Sequence, residues 1–316
     1  MAESVPRAIA LWIAFALALV LAATLAFRAG GLTWAISIHG LRFAAQGVFV
    51  LMALLAWQLG SRRTSLTTTR PDPSGRTHAL LALIALVTAF GLYARTLGDY
   101  LFADDYQFWA LTLRGHYSSL IALFTPGATY YPHGYFRPVG LLFYALDHAV
   151  WGEWRTGLHV TTLLIHAVAT YLTALLAWRL SGQPAVAIIT ALLYGTHPVR
   201  FEVATFVSAR EVAVSAIGYL GALLLVLRYV AGGSVGWLLA SVAAFVAGLL
   251  AKELALSLPL AVMLIAWGAR SSARHRALIA AAVHGAVVAA WAAFQWESRG
   301  MLATSGHHVV IRRTVE

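Results

Sequence analysis

The sequence predicts an all-α, polytopic membrane protein, and three observations carry that prediction. Of its 316 residues, 60% are hydrophobic and only 11% are charged; an ordinary soluble domain is about half apolar and about a quarter charged. Apolar stretches close to the length of a membrane-crossing helix, about 20 residues, recur along the chain. The basic residues are distributed unevenly among the connections. This composition excludes a soluble globular domain, a disordered tail and a coiled coil. The absence of cysteine excludes disulfides and zinc-thiolate sites.

The elements follow in order. Ala8–Phe27 is apolar except for Thr24, and its length and lack of a polar flank favour a retained helix over a cleaved leader. Leu41–Leu59 is a second span. The stretch "SRRTSLTTTRPDPSGRTH" then sets Arg62, Arg63, Arg70 and Arg76 against Asp72, a polar connection. Seven further spans are expected: Ala79–Leu97, Leu158–Trp178, Pro184–His197, Val212–Arg228, Val235–Ala251, Leu254–Gly268 and Ala277–Trp296. Of these, Pro184–His197 is short, and Pro259 lies inside a span, where neighbouring helices can satisfy the backbone groups a proline frees.

Arginine and lysine in short loops set orientation. Taking the Arg62–Arg76 connection as cytoplasmic places ten basic and two acidic residues inside, and twelve basic and ten acidic outside. The net charge of +10 is therefore mostly a topology signal, and nucleic acid is not an expected partner. Val139–Val150 is apolar, contains Asp147 and is too short to span. It is expected to lie in the outer interface, anchored by Tyr144, Trp151 and Trp154. Residues 98–157 then form one long outer loop of interfacial helices, a length that usually serves function.

Eight acids lie between Asp99 and Glu253, and they form the candidate site. The adjacent pair Asp104 and Asp105 suits a general base acting on a hydroxyl. It also suits a divalent cation, although no full set of oxygen ligands accompanies it, or a helix N-terminus favoured by the dipole. Lys252 is the sole lysine beside 21 arginines, and a compact ammonium next to Glu253 suits a phosphate contact. "GTHPVRFEVATFVSAR" supplies His197, Glu202 and Arg210. His159 and His166 stand two turns apart on one helix face; His166 reads as a packing residue, and His159 and His197 as site residues.

"FADDY", "YFRPVGLLFYALDHAVWG", "GLHVTTLLIHAVATYL", "ALLYGTHPVRFEVATFVSAR" and "LLAKELALSLPL" occur in an order and spacing that resembles the GT-C glycosyltransferases. The likeness is to the branch of protein O-mannosyltransferases that carry tetratricopeptide repeats, with their bacterial relatives, and runs over about residues 97–299. It implies a GT-C-like helix bundle that transfers a sugar, with mannose suggested, from a polyprenyl-phosphate donor. The acceptor would be a protein, lipid or glycan hydroxyl, and the reaction would occur at the non-cytoplasmic face. It implies Asp104 and Asp105 as the catalytic pair, and Arg137, Arg210 and Lys252 as contacts of the donor phosphate. His159, His197, Glu202 and Glu253 would shape the site.

Thr162 stands where relatives commonly show Asn, and Glu211 where they usually show a basic residue. The expected organisation is a pair of N-terminal helices with the basic loop (1–78), a catalytic module (79–299) and a C-terminal tail (300–316). No repeat domain follows, so the chain reads as a fragment or a minimal member. No cofactor is required by the sequence; a divalent cation at Asp104 and Asp105 is the one candidate. The arginine-rich, alanine-rich usage points to a bacterial inner membrane, with the N-terminus cytoplasmic. Two other readings stay open: a transporter or flippase for an anionic lipid-linked substrate, and a non-catalytic relative.

Overall fold

The computed structural model describes residues 72–102, 104–113, 120–125, 136–269 and 271–304. The chain divides into two units, Met1–Thr64 and Ser65–Glu316. The expected spans Ala8–Phe27 and Leu41–Leu59 lie outside the described residues, as do Arg62, Arg63 and Arg70. Among the described residues there are only helices, turns and irregular segments, and the protein is an all-α membrane protein.

The first helix, α1 (Gly75–Tyr93), starts where Ser74 caps it by accepting from the Thr77 N–H at 3.2 Å. Leu81, Ala85 and Ala89 repeat at four-residue spacing and are buried, so one stripe of α1 faces its neighbours. Those neighbours are α4 (Arg155–Ser181) and α5 (Pro184–Thr196). Gly182 closes α4 in the left-handed region at φ 69°, which glycine adopts without strain. Pro184 then opens α5 at a position where its missing N–H has no helical partner to lose. On α4 the hydroxyls of Thr162, Thr170 and Thr173 donate to carbonyls four residues back, so these polar groups are satisfied without a partner helix. His166 lies buried with Nε2 donating to the Gly195 carbonyl at 3.2 Å. It packs, as expected.

Between α1 and α4 lie α2 (Asp104–Leu113) and α3 (Pro138–Trp151). Arg137 precedes α3 and Pro138 occupies its first turn. The expected interfacial segment Val139–Val150 is therefore a helix, and one of its faces packs on neighbouring helices. Its buried face carries Gly140, Leu141, Tyr144, Ala145 and Asp147, and it contacts α8 (Val235–Ala251) as well as α2 and α4.

After the short helix α6 (Phe201–Thr205), α7 (Arg210–Val230) and α8 form an antiparallel hairpin. A Cβ on Gly218 would lie 2.6 Å from Gly248 Cα, so the two backbones pass in direct contact, as small residues permit between apolar helices. The expected span at Leu254–Gly268 is helical throughout but opens as a 3₁₀ turn. Glu253–Ser257 is a 3₁₀ turn, and α9 (Leu258–Gly268) begins there with Pro259 in its first turn. The final helix is α10 (Ser271–Thr304). Its buried His284 lies 2.9 Å from the Ser241 hydroxyl of α8.

Gly75–Gly98, Arg155–Ser181, Arg210–Val230 and Ala273–Phe294 are long and apolar enough to cross a membrane, and three shorter apolar helices accompany them. At 1.5 Å per residue the 13 residues of α5 cover about 20 Å, short of a hydrocarbon core of about 30 Å. Outward positions carry Leu83, Val87, Leu193, Leu239, Leu260 and Trp267, a surface suited to lipid. Arg179 at the end of α4 pairs with Asp72, and Arg228 at the end of α7 lies 3.8 Å from the same carboxylate. These arginines, expected to share one side, gather at one end of the bundle.

Candidate functional site

The opposite end of α7 begins with Arg210 and Glu211, both buried (1% and 2% exposed). Two buried ions at a helix start need partners from other elements. Arg210 pairs with Asp147, and its guanidinium lies over the Tyr144 ring, 4.3 Å from the centroid. Tyr144 and Asp147 are three residues apart on α3, so both reach the same cation. The Tyr144 hydroxyl donates to the Val207 carbonyl at 3.1 Å, which ties α3 to the turn before α7. Burial, followed by the charge of Glu211, pushes the Tyr144 phenol well above its usual range. Nε and Nη2 of Arg210 have no hydrogen-bond partner.

Glu211 turns toward the start of α3 and lies against the backbone of Gly140. A Cβ there would stand 2.6 Å from its Oε1. Arg137 donates from Nη1 to Glu211 at 3.4 Å, from Nη2 to Glu253 Oε2 at 2.7 Å, and from Nε to Oε1 and Oε2 of Glu253 at 3.3 and 3.2 Å. The arrangement with Glu253 is a forked guanidinium–carboxylate pair, the stronger geometry for these groups. Lys252 adjoins Glu253 in an extended conformation at the end of α8, and the Ser215 hydroxyl of α7 donates to its carbonyl at 2.9 Å. Among the described residues no carboxylate forms an ion pair with Lys252. Burial lowers its pKa, an effect opposed by the charges of Glu211 and Glu253.

Asp104 and Asp105 open α2 and part company there. Asp104 is exposed and Asp105 is 1% exposed. Asp105 accepts from the Ser208 N–H at 2.7 Å through Oδ1 and from the Phe102 N–H at 3.2 Å through Oδ2. It therefore fastens the start of α2 to the segment leading into Arg210. Behind it lies His159, 2% exposed, within reach of the charges of Asp105 and Asp99 and beside the Thr205 backbone. Neither of its ring nitrogens reaches good hydrogen-bond geometry.

Arg137 and Glu253 thus meet directly, Lys252 adjoins them through its place in the chain and its charge, and Ser208–Glu211 joins them to Asp105. Glu202 is exposed and acts on Lys252 through its charge. His197 stands apart: exposed, it caps the turn at Pro198, with Nδ1 accepting from the Val199 N–H at 3.2 Å. Among the described residues no three His, Cys, Asp or Glu side chains gather as a metal-ligand set.

Tyr144 and Gly140 were not singled out from the sequence as site residues, and Asp147 and Glu211 stood there only among the eight acids, with no role of their own. Asp147 inside an apolar helix was a signal, because buried ionisable groups demand a partner. Glu211, an acid at a usually basic position, was another. Nothing local marks Gly140, whose role depends on a side chain from α7.

Comparison with known proteins adds one likeness. A segment of 125 residues, 40% of this chain, is 29% identical to Protein O-mannosyl-transferase Tmtc1 of Drosophila melanogaster and covers 15% of that protein. No protein-family model matches the sequence. No solved structure matches it.

Proposed function

We propose that this chain is a membrane glycosyltransferase of GT-C-like architecture. It transfers a sugar from a polyprenyl-phosphate-linked donor to a hydroxyl acceptor at the non-cytoplasmic face. The observation that carries the reading is the pairing of Arg137 with Glu253 next to Lys252, whose charge Arg137 acts on, two cations from separate elements at the helix ends. The segment likeness to a protein O-mannosyl-transferase supports a sugar as the group transferred.

In this mechanism Asp104, the exposed member of the pair, takes the proton of the acceptor hydroxyl as its oxygen attacks the anomeric carbon. The bond from that carbon to the donor phosphate breaks with inversion. Negative charge grows on the departing phosphate, and Arg137 and Lys252 stabilise it more strongly in the transition state than in the ground state. Asp105 holds the start of α2 in register. Arg210, buried against Asp147, holds the first turn of α7 in place and does not contact the phosphate. A single displacement needs one base, unlike the paired carboxylates of retaining hydrolases. No step is routed through a cation.

The test is sugar transfer by the purified chain from polyprenyl-phosphate sugars. Turnover unchanged in Asp104→Asn would remove the assignment of the base. Flux of a lipid-linked sugar across proteoliposomes without glycosylated product would replace the enzyme with a transporter. Mannose and a protein acceptor are the first pair to assay, given the likeness to a protein O-mannosyl-transferase.

A further inference from the structure

The contacts of Arg137 with Glu211 and with Glu253 are unequal. Glu211 is buried (2% exposed), wedged against Gly140 and bound to Nη1 at 3.4 Å. Glu253 is 25% exposed and takes both Nη2 and Nε, the nearer contact being 2.7 Å. One acid is fixed by packing; the other sits at the accessible edge on a 3₁₀ turn. Lys252 is its neighbour in sequence and has no ion-paired carboxylate among the described residues.

The forked face of a guanidinium fits a carboxylate and a phosphate by the same two-point geometry. Glu253 therefore occupies on Arg137 the place that two phosphate oxygens would take. We propose that Glu253 is a displaceable stand-in for the donor phosphate: it holds Arg137 in the empty site, swings toward solvent when the phosphate binds, and returns to expel the phosphate product. The inference rests on the glycosyltransferase reading and adds to it a residue that controls phosphate entry and release.

The charges agree with this exchange. Arg137 and Lys252 outnumber Glu211, the acid fixed beside them, so the departure of Glu253 leaves this cluster net positive, which suits a negatively charged phosphodiester donor. The product phosphomonoester carries about −1.5 to −2 at neutral pH, and the return of Glu253 competes with it for the same guanidinium face. Glu211 cannot perform this exchange, because leaving would strand its charge against the α3 backbone.

The experiment measures equilibrium binding of a sugar-free polyprenyl monophosphate to the full chain in detergent, for wild type, Glu253→Gln and Glu253→Asp. Removing the competing charge should tighten binding about three- to tenfold in Glu253→Gln, while Glu253→Asp stays within about twofold of wild type. Turnover of Glu253→Gln should show a lower KM together with a lower kcat and stronger product inhibition. Inorganic phosphate run in parallel tells whether the gain needs the lipid; a gain in either arm supports displacement.

If wild type binds and Glu253→Gln binds equally or more weakly, displacement is wrong and the glycosyltransferase reading stands. If the variant loses its thermal unfolding transition, Glu253 is a structural brace and displacement is likewise wrong. If neither wild type nor variant binds polyprenyl phosphate, the phosphate site itself fails, and the glycosyltransferase reading fails with it.

Discussion

The Glu211 carboxylate lies directly against Gly140, where a Cβ would come within 2.6 Å of its Oε1. The glycine of α3 is thus a space reserved for an acid of α7, which in turn steers Arg137. Gly140→Ala should cost about 1–3 kcal/mol of stability, as overpacking does in a filled interior, and should reduce sugar transfer. Shortening the acid in Gly140→Ala/Glu211→Asp should recover part of the stability. Thermal unfolding in detergent of the two variants checks this; no recovery in the double variant would mean the clash lies elsewhere.

Asp147 neutralises Arg210 where both are buried. Asp147→Asn leaves an uncompensated guanidinium and should destabilise the chain by about 3–5 kcal/mol. Replacing both ions, as Arg210→Met/Asp147→Leu, should be much less harmful than either single change. The comparison of unfolding midpoints is the measurement, and it separates a structural pair from a phosphate ligand.

The acidic pair predicts a division of labour. Asp105→Asn loses one of the two acceptors facing backbone N–H groups and should cost about 1–3 kcal/mol. Asp104→Asn, at an exposed position, should leave the unfolding midpoint within about 0.5 kcal/mol of wild type while abolishing transfer. Measuring stability and turnover on both variants tests the assignment, and equal profiles would contradict it.

Burial lowers the pKa of Lys252 below the ordinary lysine value of 10.5. Phosphate binding needs the ammonium, so binding should weaken as pH rises through that lowered pKa, earlier than for an exposed lysine. Lys252→Arg should keep binding flat into the alkaline range, since a guanidinium does not titrate there. Stability has the opposite slope. Between the lowered pKa and 10.5 the unfolded chain binds the extra proton, so stability rises with pH in that window. Binding and unfolding titrations of wild type and variant read both slopes.

The helices were legible because each rests on a local run of apolar residues; Val235–Ala251 was expected and observed with the same bounds. The site was legible in its residue types but not in its pairings. Arg137 meets Glu253 across 116 positions, and Asp105 meets Ser208 across 103, distances at which no periodicity speaks. Sequence alone cannot distinguish an arginine that will be buried against Asp147 from one left at an accessible edge, because only the packing of α3 on α7 decides it. The same limit applies to His197, whose neighbour Pro198 made a cap of it.

Gly218 and Gly248 press two backbones together, and Ser215 fastens the same two helices a turn nearer the site. Sliding or rolling between them would drive main chain into main chain. Arg210 and Glu211 on one rod, and Lys252 on the other, therefore form the fixed jaw of a clamp. Whatever opening the site undergoes is left to side chains at its accessible edge, where Glu253 sits on its 3₁₀ turn.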